Sequence, residues 1–352
     1  MKKIVITSLL SQNGQNAGSK AKNDDRKILA DNGFVSLDIV VPENRVKKLL
    51  FSKNDIPTII RRNNADEYVI QYPLYSMIVI KSVIESIKTV NRNSKIILLI
   101  HDVEALRQRK GDQAYANKEI QIFNEVDGII VHNSSMKKYL ENKGVHVPMV
   151  EQNLFDYLNS APIKENKKYN KEICFAGNLS KAKFLNKLRF NQVRLNVYGA
   201  PKPSKIYKEG IFYKGSFDPD ELPNYLEGDF GLVWDGDSSK TNTGVFGEYT
   251  RFNSPHKTSL YLSTGIPVIV WNEAGIAQFI RENNLGIIVD RIDNLDEILA
   301  QLSQKEYEDI KKNVQSYAQR IRKGKNLLET IDTLELMLSE ESESYGYYEF
   351  KK

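Results

Sequence analysis

Four stretches of this chain combine side chains able to hold a phosphate, bond a sugar hydroxyl or move a proton. Residues 254–257 read Ser-Pro-His-Lys and open a helical pattern that stops at Gly265, just before Pro267. Lys257 would stand in the first turn of that helix, where the macrodipole is positive and a lysine is disfavoured unless an anion lies beside it. Residues 174–181 read Cys-Phe-Ala-Gly-Asn-Leu-Ser-Lys and turn out of a strand-like run. Gly177 lets a ligand approach the backbone, Asn178 can bond a base or hydroxyl, and Lys181 or Lys183 can reach phosphate oxygens. Residues 101–104, His-Asp-Val-Glu, place an imidazole and two carboxylates, Asp102 and Glu104, after an apolar run. Either carboxylate could take the proton of an attacking hydroxyl; the plainer alternative is a helix cap by Asp102 beside a solvated Glu104. The fourth stretch, residues 11–20 with Gly14 and Gly18, precedes a helical pattern and suits an approaching sugar or phosphate. Its spacing is not G-x-G-x-x-G, and a flexible turn explains it equally well.

Elements of regular length must position these stretches. Apolar runs at 4–10, 34–40, 68–71, 95–100 and 128–132 alternate with helical patterns, and a second series follows at 172–175, 193–198, 211–214, 230–234, 267–271 and 286–289. Their continuous Ile/Val/Leu character, without alternation, predicts strands buried on both faces in parallel sheets. Ser134 and Ser135 can cap one helix, and Gly144 and Gly33 can close helices in the left-handed conformation. The chain therefore reads as α/β, with two Rossmann-like doubly wound parallel sheets facing one another across a cleft. The boundaries fall at 1–155 for the first domain, 156–171 for a linker, 172–318 for the second domain, and 319–352 for a C-terminal helix and tail. All four chemical stretches follow strands, at the carboxyl ends where open parallel sheets hold ligands.

Composition narrows the chemistry further. The 352 residues carry a formal charge of +5, one cysteine and four histidines. A lone Cys174 forms no internal disulfide or cysteine metal site, which suits a reducing cytosol. The first apolar run is too short to span a bilayer and lacks a cleavage site for export. An excess of five charges spread over the chain does not predict nucleic-acid binding. The basic pairs at 47–48, 61–62, 137–138, 167–168 and 311–312 point instead to an anionic membrane surface or a phosphate-bearing substrate. Asp235-Gly236-Asp237 matches a metal-binding Asp-x-Asp pattern, yet it leads into a Gly/Thr/Asn-rich segment that reads as a mobile loop at the cleft mouth.

The segment 254–270 resembles the donor half of GT-B glycosyltransferases, in which a helix ending in small-x-Gly-x-Pro-Val-Ile lies under a nucleotide diphosphate. Together with Phe-Ala-Gly-Asn at 175–178, Asp-Phe-Gly-Leu-Val-Trp at 229–234, Glu-Asn-Asn-Leu-Gly at 282–286, His101-Asp102 and Arg-Lys-Gly at 322–324, it is similar to one bacterial group. That group contains β-1,6-galactofuranosyltransferases of surface polysaccharide synthesis and glucosyltransferases that extend glycans on serine-rich adhesins. The resemblance implies inverting transfer of a hexose from a UDP-sugar to a glycan acceptor, lipid-linked or on protein. Lys257 and Lys181 would bind the diphosphate, Gly177 and Asn178 would line the nucleotide pocket with Ser254 and His256 nearby, and Gly14 would close over the sugar. Asp102 or Glu104 would be the base. No metal and no cofactor is implied, because lysines and a helix N-terminus balance the leaving charge. The implied location is cytoplasmic, at or near the inner face of the membrane, with homo-oligomerisation open. Two departures stand out: Leu260 occupies the place of a ribose-binding Glu, and Lys181 stands where some relatives have Arg. Two other readings of the same cleft are a UDP-sugar epimerase and a non-enzymatic two-domain binding protein.

Overall fold

A computed structural model of the chain describes residues 1–9, 17–165, 168–204 and 207–349. The chain divides into two compact units. The first takes the opening strand, Lys22–Gln152 and the final helix from Leu327; the second takes the first turn of the opening helix, through Ala21, and Asn153–Asn326.

The first unit holds a six-stranded sheet of β1 (Lys3–Leu9), β2 (Phe34–Val40), β3 (Glu67–Tyr72), β4 (Lys95–Ile100), β5 (Gly128–Val131) and β6 (Met149–Glu151). All pairings are parallel, in the order β2-β1-β3-β4-β5-β6. Strand β3 is buried at every position while β2, at the edge, is exposed at several. This is why the central strands read as largely apolar runs, although β3 also buries Glu67 and Gln71. Strand β6 escaped the sequence reading because it has three residues, too few to show a period. The helix Ser134–Asn142 is capped by Asn133, whose side chain accepts from Ser135 and Met136 N–H, rather than by the serines after it. Gly33 and Gly144 both adopt φ of +93°, as their helix-closing role requires.

The second unit repeats the plan with β7 (Glu172–Ala176), β8 (Arg194–Tyr198), β9 (Ile211–Gly215), β10 (Phe230–Val233), β11 (Val268–Trp271) and β12 (Gly286–Val289). The order is β12-β11-β10-β7-β8-β9, again with every pairing parallel. The helix His256–Ser263 packs against the sheet through Tyr261, whose ring covers Gly231 of β10. A Cβ on Gly231 would stand 2.2 Å from that ring. The Tyr261 hydroxyl in turn accepts from Ala176 N–H at 2.7 Å, fixing the end of β7. Asp229 works at the other end of the same strands, accepting from Asn170 and Glu172 N–H at 2.8 and 3.0 Å.

Gly231→Ala is therefore expected to destabilise the second unit by about 2 kcal/mol or more, since a packed ring must be displaced. The check is the urea midpoint at unchanged slope; a midpoint equal to that of the parent chain would contradict this packing account.

Candidate active site

In a doubly wound sheet the ligand crevice opens where the strand order reverses. In the second unit that point lies between β7 and β10. The residues leaving these strands are Gly177 after β7 and Trp234 and Asp235 after β10. Lys257, the second residue of the helix His256–Ser263, reaches into the same place. Its Nζ donates to the Trp234 carbonyl and to Asp235 Oδ2, both at 3.0 Å. It also lies 4.9 Å from the centre of the Phe175 ring and 3.9 Å from where a Cβ on Gly177 would stand. A lysine in a first helical turn was expected to need an external anion; the chain supplies one itself in Asp235. An ammonium has three N–H donors, so these two partners leave capacity for a ligand oxygen.

The far end of that helix is electrostatically complementary. Lys311 Nζ donates to the Gly265 carbonyl and Arg322 Nε to the Ser263 carbonyl, each at 2.6 Å. Two cations thus satisfy carbonyls at the negative end of the helix that carries Lys257. Lys311, of the basic pair at 311–312, is buried, and burial pushes its ammonium down to about 8. Leu260, at the position of the expected ribose contact, is buried in the core.

The remaining donor-side residues are placed differently from one another. Asn178 accepts from Ser180 N–H at 3.0 Å and Ser180 Oγ at 2.6 Å, closing its own turn. Lys181 Nζ lies 3.9 Å over the Phe246 ring. Ser254 is buried. The His256 ring packs against Tyr157 and Phe155, with centroids 4.9 and 5.9 Å away, and burial together with the charge of Lys20 holds its pKa down to about 3. It is a neutral ring at physiological pH. Gly14 lies outside the described residues. Lys20, from the opening helix, donates to the Leu158 carbonyl at 2.8 Å and pairs with Asp220 at 2.9 Å.

The Asp-x-Asp stretch is organised by lysines: Asp235 by Lys257, and Asp237 by Lys183 at 3.6 Å. The segment after it, expected to be a mobile loop, is folded on itself. Trp234 Nε1 donates to the Ser238 carbonyl, Asn242 accepts from Asp235 N–H and donates to Thr250, and a helix runs over Gly244–Tyr249. Gly236, at φ +98°, permits the turn, since a Cβ there would stand 2.2 Å from the Thr243 carbonyl oxygen. Among the described residues no group of three or more His, Cys, Asp or Glu is arranged to hold a metal.

The first unit has its own crevice, between β1 and β3 where its order reverses. Lys22 enters it from the opening helix, Ala17–Asp31. Its Nζ donates to the Pro73 carbonyl at 2.6 Å and to Ser8 Oγ at 3.2 Å, and lies 4.4 Å over the Tyr75 ring. Burial pushes this ammonium down to about 7, against the pull of the Asp102 and Glu104 charges, which raise it. Buried His101 stands at the end of β4, its Nε2 3.5 Å from Oδ2 of buried Asp25.

Asp102 and Glu104 share one cation. Arg107 pairs with Asp102 and lies 3.7 Å from Glu104. Burial raises the Glu104 carboxyl above its ordinary range, opposed by Arg107, Arg109 and Lys22. The alternative of a capping Asp102 and a solvated Glu104 does not hold: the next helix, Gln113–Phe123, is capped by Asp112, and the Glu104 side chain is only 14% exposed. The loop is pinned by Glu119, a buried carboxylate that accepts from Glu104 and Ala105 N–H at 3.0 and 2.9 Å and from the Tyr72 hydroxyl at 2.6 Å.

Sequence reasoning missed Lys22, Asp25, Arg107 and Glu119, and dismissed Asp235. In sequence, residues 20–25 look like a solvated helix face. The available signal was their place one helix after the first strand, which turns such a face toward the sheet's carboxyl end.

Comparison with known proteins identifies the family and the fold. The family described as "Glucosyltransferase 3-like, N-terminal domain" matches residues 3–154, and "Glucosyltransferase 3-like, C-terminal domain" matches residues 173–333. The chain is 31% identical to the beta-1,6-galactofuranosyltransferase WbbI of Escherichia coli (strain K12), over 88% of this chain and 92% of that one. It is 25% identical to Glucosyltransferase 3 of Streptococcus gordonii, over 92% and 95% of the two chains. Among solved structures, the lipopolysaccharide outer core galactosyltransferase WaaB aligns with a TM-score of 0.60 at 12% identity, covering 95% of this chain and 99% of that one. Trehalose-6-phosphate synthase OtsA aligns with a TM-score of 0.59 at 10% identity and the same coverage. The fold is that of GT-B glycosyltransferases. The chain belongs to the glucosyltransferase 3-like family and is a glycosyltransferase.

Proposed function

We propose that this glycosyltransferase moves a hexose, galactofuranose or glucose, from a UDP-sugar to an acceptor hydroxyl on a cell-surface polysaccharide precursor or a glycoprotein glycan. Transfer inverts the anomeric centre and uses no metal, on the cytoplasmic side of the membrane. The observation that carries the reading is Lys257 at the reversal point of the second sheet, its Nζ 3.9 Å from where a Cβ on Gly177 would stand. A cation beside a helix N-terminus and a glycine turn can take the charge that builds on a departing diphosphate. Support for the sugar comes from the relatives named for galactofuranosyl and glucosyl transfer, and for the donor from a trehalose-6-phosphate structure solved with UDP-2-fluoro glucose, of TM-score 0.57. The lysine partners of Asp235 and Asp237 favour charge balance by ammonium groups over a bridging ion. The base is Glu104 or Asp102, in the first unit's crevice.

The test is hydrolysis and transfer with UDP-glucose, UDP-galactopyranose, UDP-galactofuranose and UDP-N-acetylglucosamine, each with and without a chelator. UDP release from UDP-glucose or UDP-galactofuranose, unchanged by chelator, is the expected result. Release from neither of these two donors, or loss in chelator restored by Mn²⁺, would overturn the sugar or the metal-free assignment respectively.

A further inference from the structure

The first unit carries an apolar stripe that its own core does not use. The helix Arg45–Leu50 has no buried residue. Val46, Leu49 and Leu50 are 65%, 43% and 54% exposed, and their spacing puts all three on one helical face. Ile78, at the start of the neighbouring helix Met77–Val90, adds a fourth side chain at 41% exposure. Between these helices lies an open groove of about 720 Å³, lined among others by Leu49, Lys53, Arg61, Ile78, Lys81 and Lys118.

This stripe is held outward by a firm attachment. Asn44 caps the helix, accepting from Val46 and Lys47 N–H at 2.8 and 3.3 Å. The helical chain continues to Arg62 through Ile56 and Ile60, both fully buried. Ser82 Oγ of the neighbouring helix donates to the Ser52 carbonyl at 2.5 Å. Short helices draw their stability from packing an apolar face, and this one leaves its face in water.

The charges around the stripe identify what covers it. Arg45, Lys47 and Lys48 lie on the helix itself; Lys53, Arg61, Lys81 and Lys118 line the adjoining groove beside Glu125 and Glu85, the latter 3.8 Å from Lys81, so cations are in excess. Lysine is depleted from the cores of protein interfaces, whereas a basic helix with exposed aliphatic residues matches a negatively charged lipid surface. No helix among the described residues is long and apolar enough to cross a membrane, so this chemistry fits contact with the surface. We propose that the helix Arg45–Leu50, with the Ile78 end of its neighbour, docks the first unit onto an anionic phospholipid bilayer. The aliphatic side chains enter the headgroup region while the lysine and arginine heads pair with phosphates. The proposal does not depend on which sugar or acceptor the enzyme uses.

Flotation of the full chain with phosphatidylcholine vesicles, with and without phosphatidylglycerol, tests it. The parent chain is expected to float with the anionic vesicles, to stay behind with the neutral ones, and to be released as salt rises. K47E/K48E is expected to lower the bound fraction about tenfold or more, and V46S/L50S to lower it comparably. None of these side chains is buried, so the thermal unfolding curve and donor hydrolysis in solution should be those of the parent. Failure of the parent chain to float with anionic vesicles, or flotation of both variants like the parent, would overturn the proposal. So would sedimentation showing a dimer that V46S/L50S converts to monomer, because the stripe would then belong to a second copy of this chain.

Discussion

Replacing Lys257 with alanine is expected to lower kcat/KM by about 10²–10³-fold and to weaken UDP binding while leaving the fold intact. The magnitude follows from deleting one preorganised charged donor at a site of developing negative charge; each tenfold is about 1.4 kcal/mol of transition-state stabilisation. Lys257 has two polar partners, the Trp234 carbonyl and Asp235. A purely structural role, tying its helix to the end of β10, predicts a different outcome: a lowered Tm with UDP affinity unchanged. Calorimetric titration of UDP beside a thermal melt separates the two. Asp235→Asn sharpens the contrast. It removes the carboxylate that competes for the ammonium, so UDP affinity should hold or rise if Lys257 serves the diphosphate. If it falls as far as in K257A, Asp235 and Lys257 act as a structural pair and the assignment fails.

Glu104→Gln is expected to cost about 10³-fold in kcat with little change in donor KM, the scale of losing a general base. The amide keeps the shape and removes the proton acceptor. Burial lifts the Glu104 carboxyl above its ordinary range while Arg107, Arg109 and Lys22 pull it down. The base works ionised, so activity should fall as pH drops through this raised pKa, at a higher pH than an exposed glutamate would give. That acidic limb should vanish from the residual activity of E104Q. Asp102→Asn, at the other carboxylate on Arg107, should cost less and should leave the limb in place. Full loss in D102N with normal activity in E104Q would transfer the base to Asp102, and near-parent kcat in both would remove the base from this loop.

The two crevices differ in how far they could be read from the chain. The glycine turn at Gly177 and the helix opening at Lys257 were legible because each is a local event: a strand ends, a small residue follows, a helix starts. The central strands were legible for the same reason, since burial on both faces writes a largely apolar run into the sequence, whereas the edge strands β2 and β9 are partly exposed and carry polar residues. Polar residues carry no such local mark. Lys22 looks like any lysine on a helix, yet it is buried against the Pro73 carbonyl, and Asp235 looks like half of a metal motif, yet it holds Lys257. His256 packs its ring against Phe155 and Tyr157, and Asn178 closes its own turn, contacts that residue type and position along the chain do not show.

What the sequence determined by itself was the class: two α/β units, parallel sheets, loops at strand ends as the place for chemistry, and the likeness to one glycosyltransferase group. These depend on periodicities within about ten residues and on turn chemistry, both of which survive without knowledge of the fold. Only the tertiary structure decided which charges meet. Strand order does this, since putting β1 beside β3 and β7 beside β10 brings Ser8 to Lys22 and Pro73, and Trp234 to the turn at Gly177. A charge's partner and its pKa are set by distances and burial that arise when distant segments close together, and no spacing along the chain encodes them.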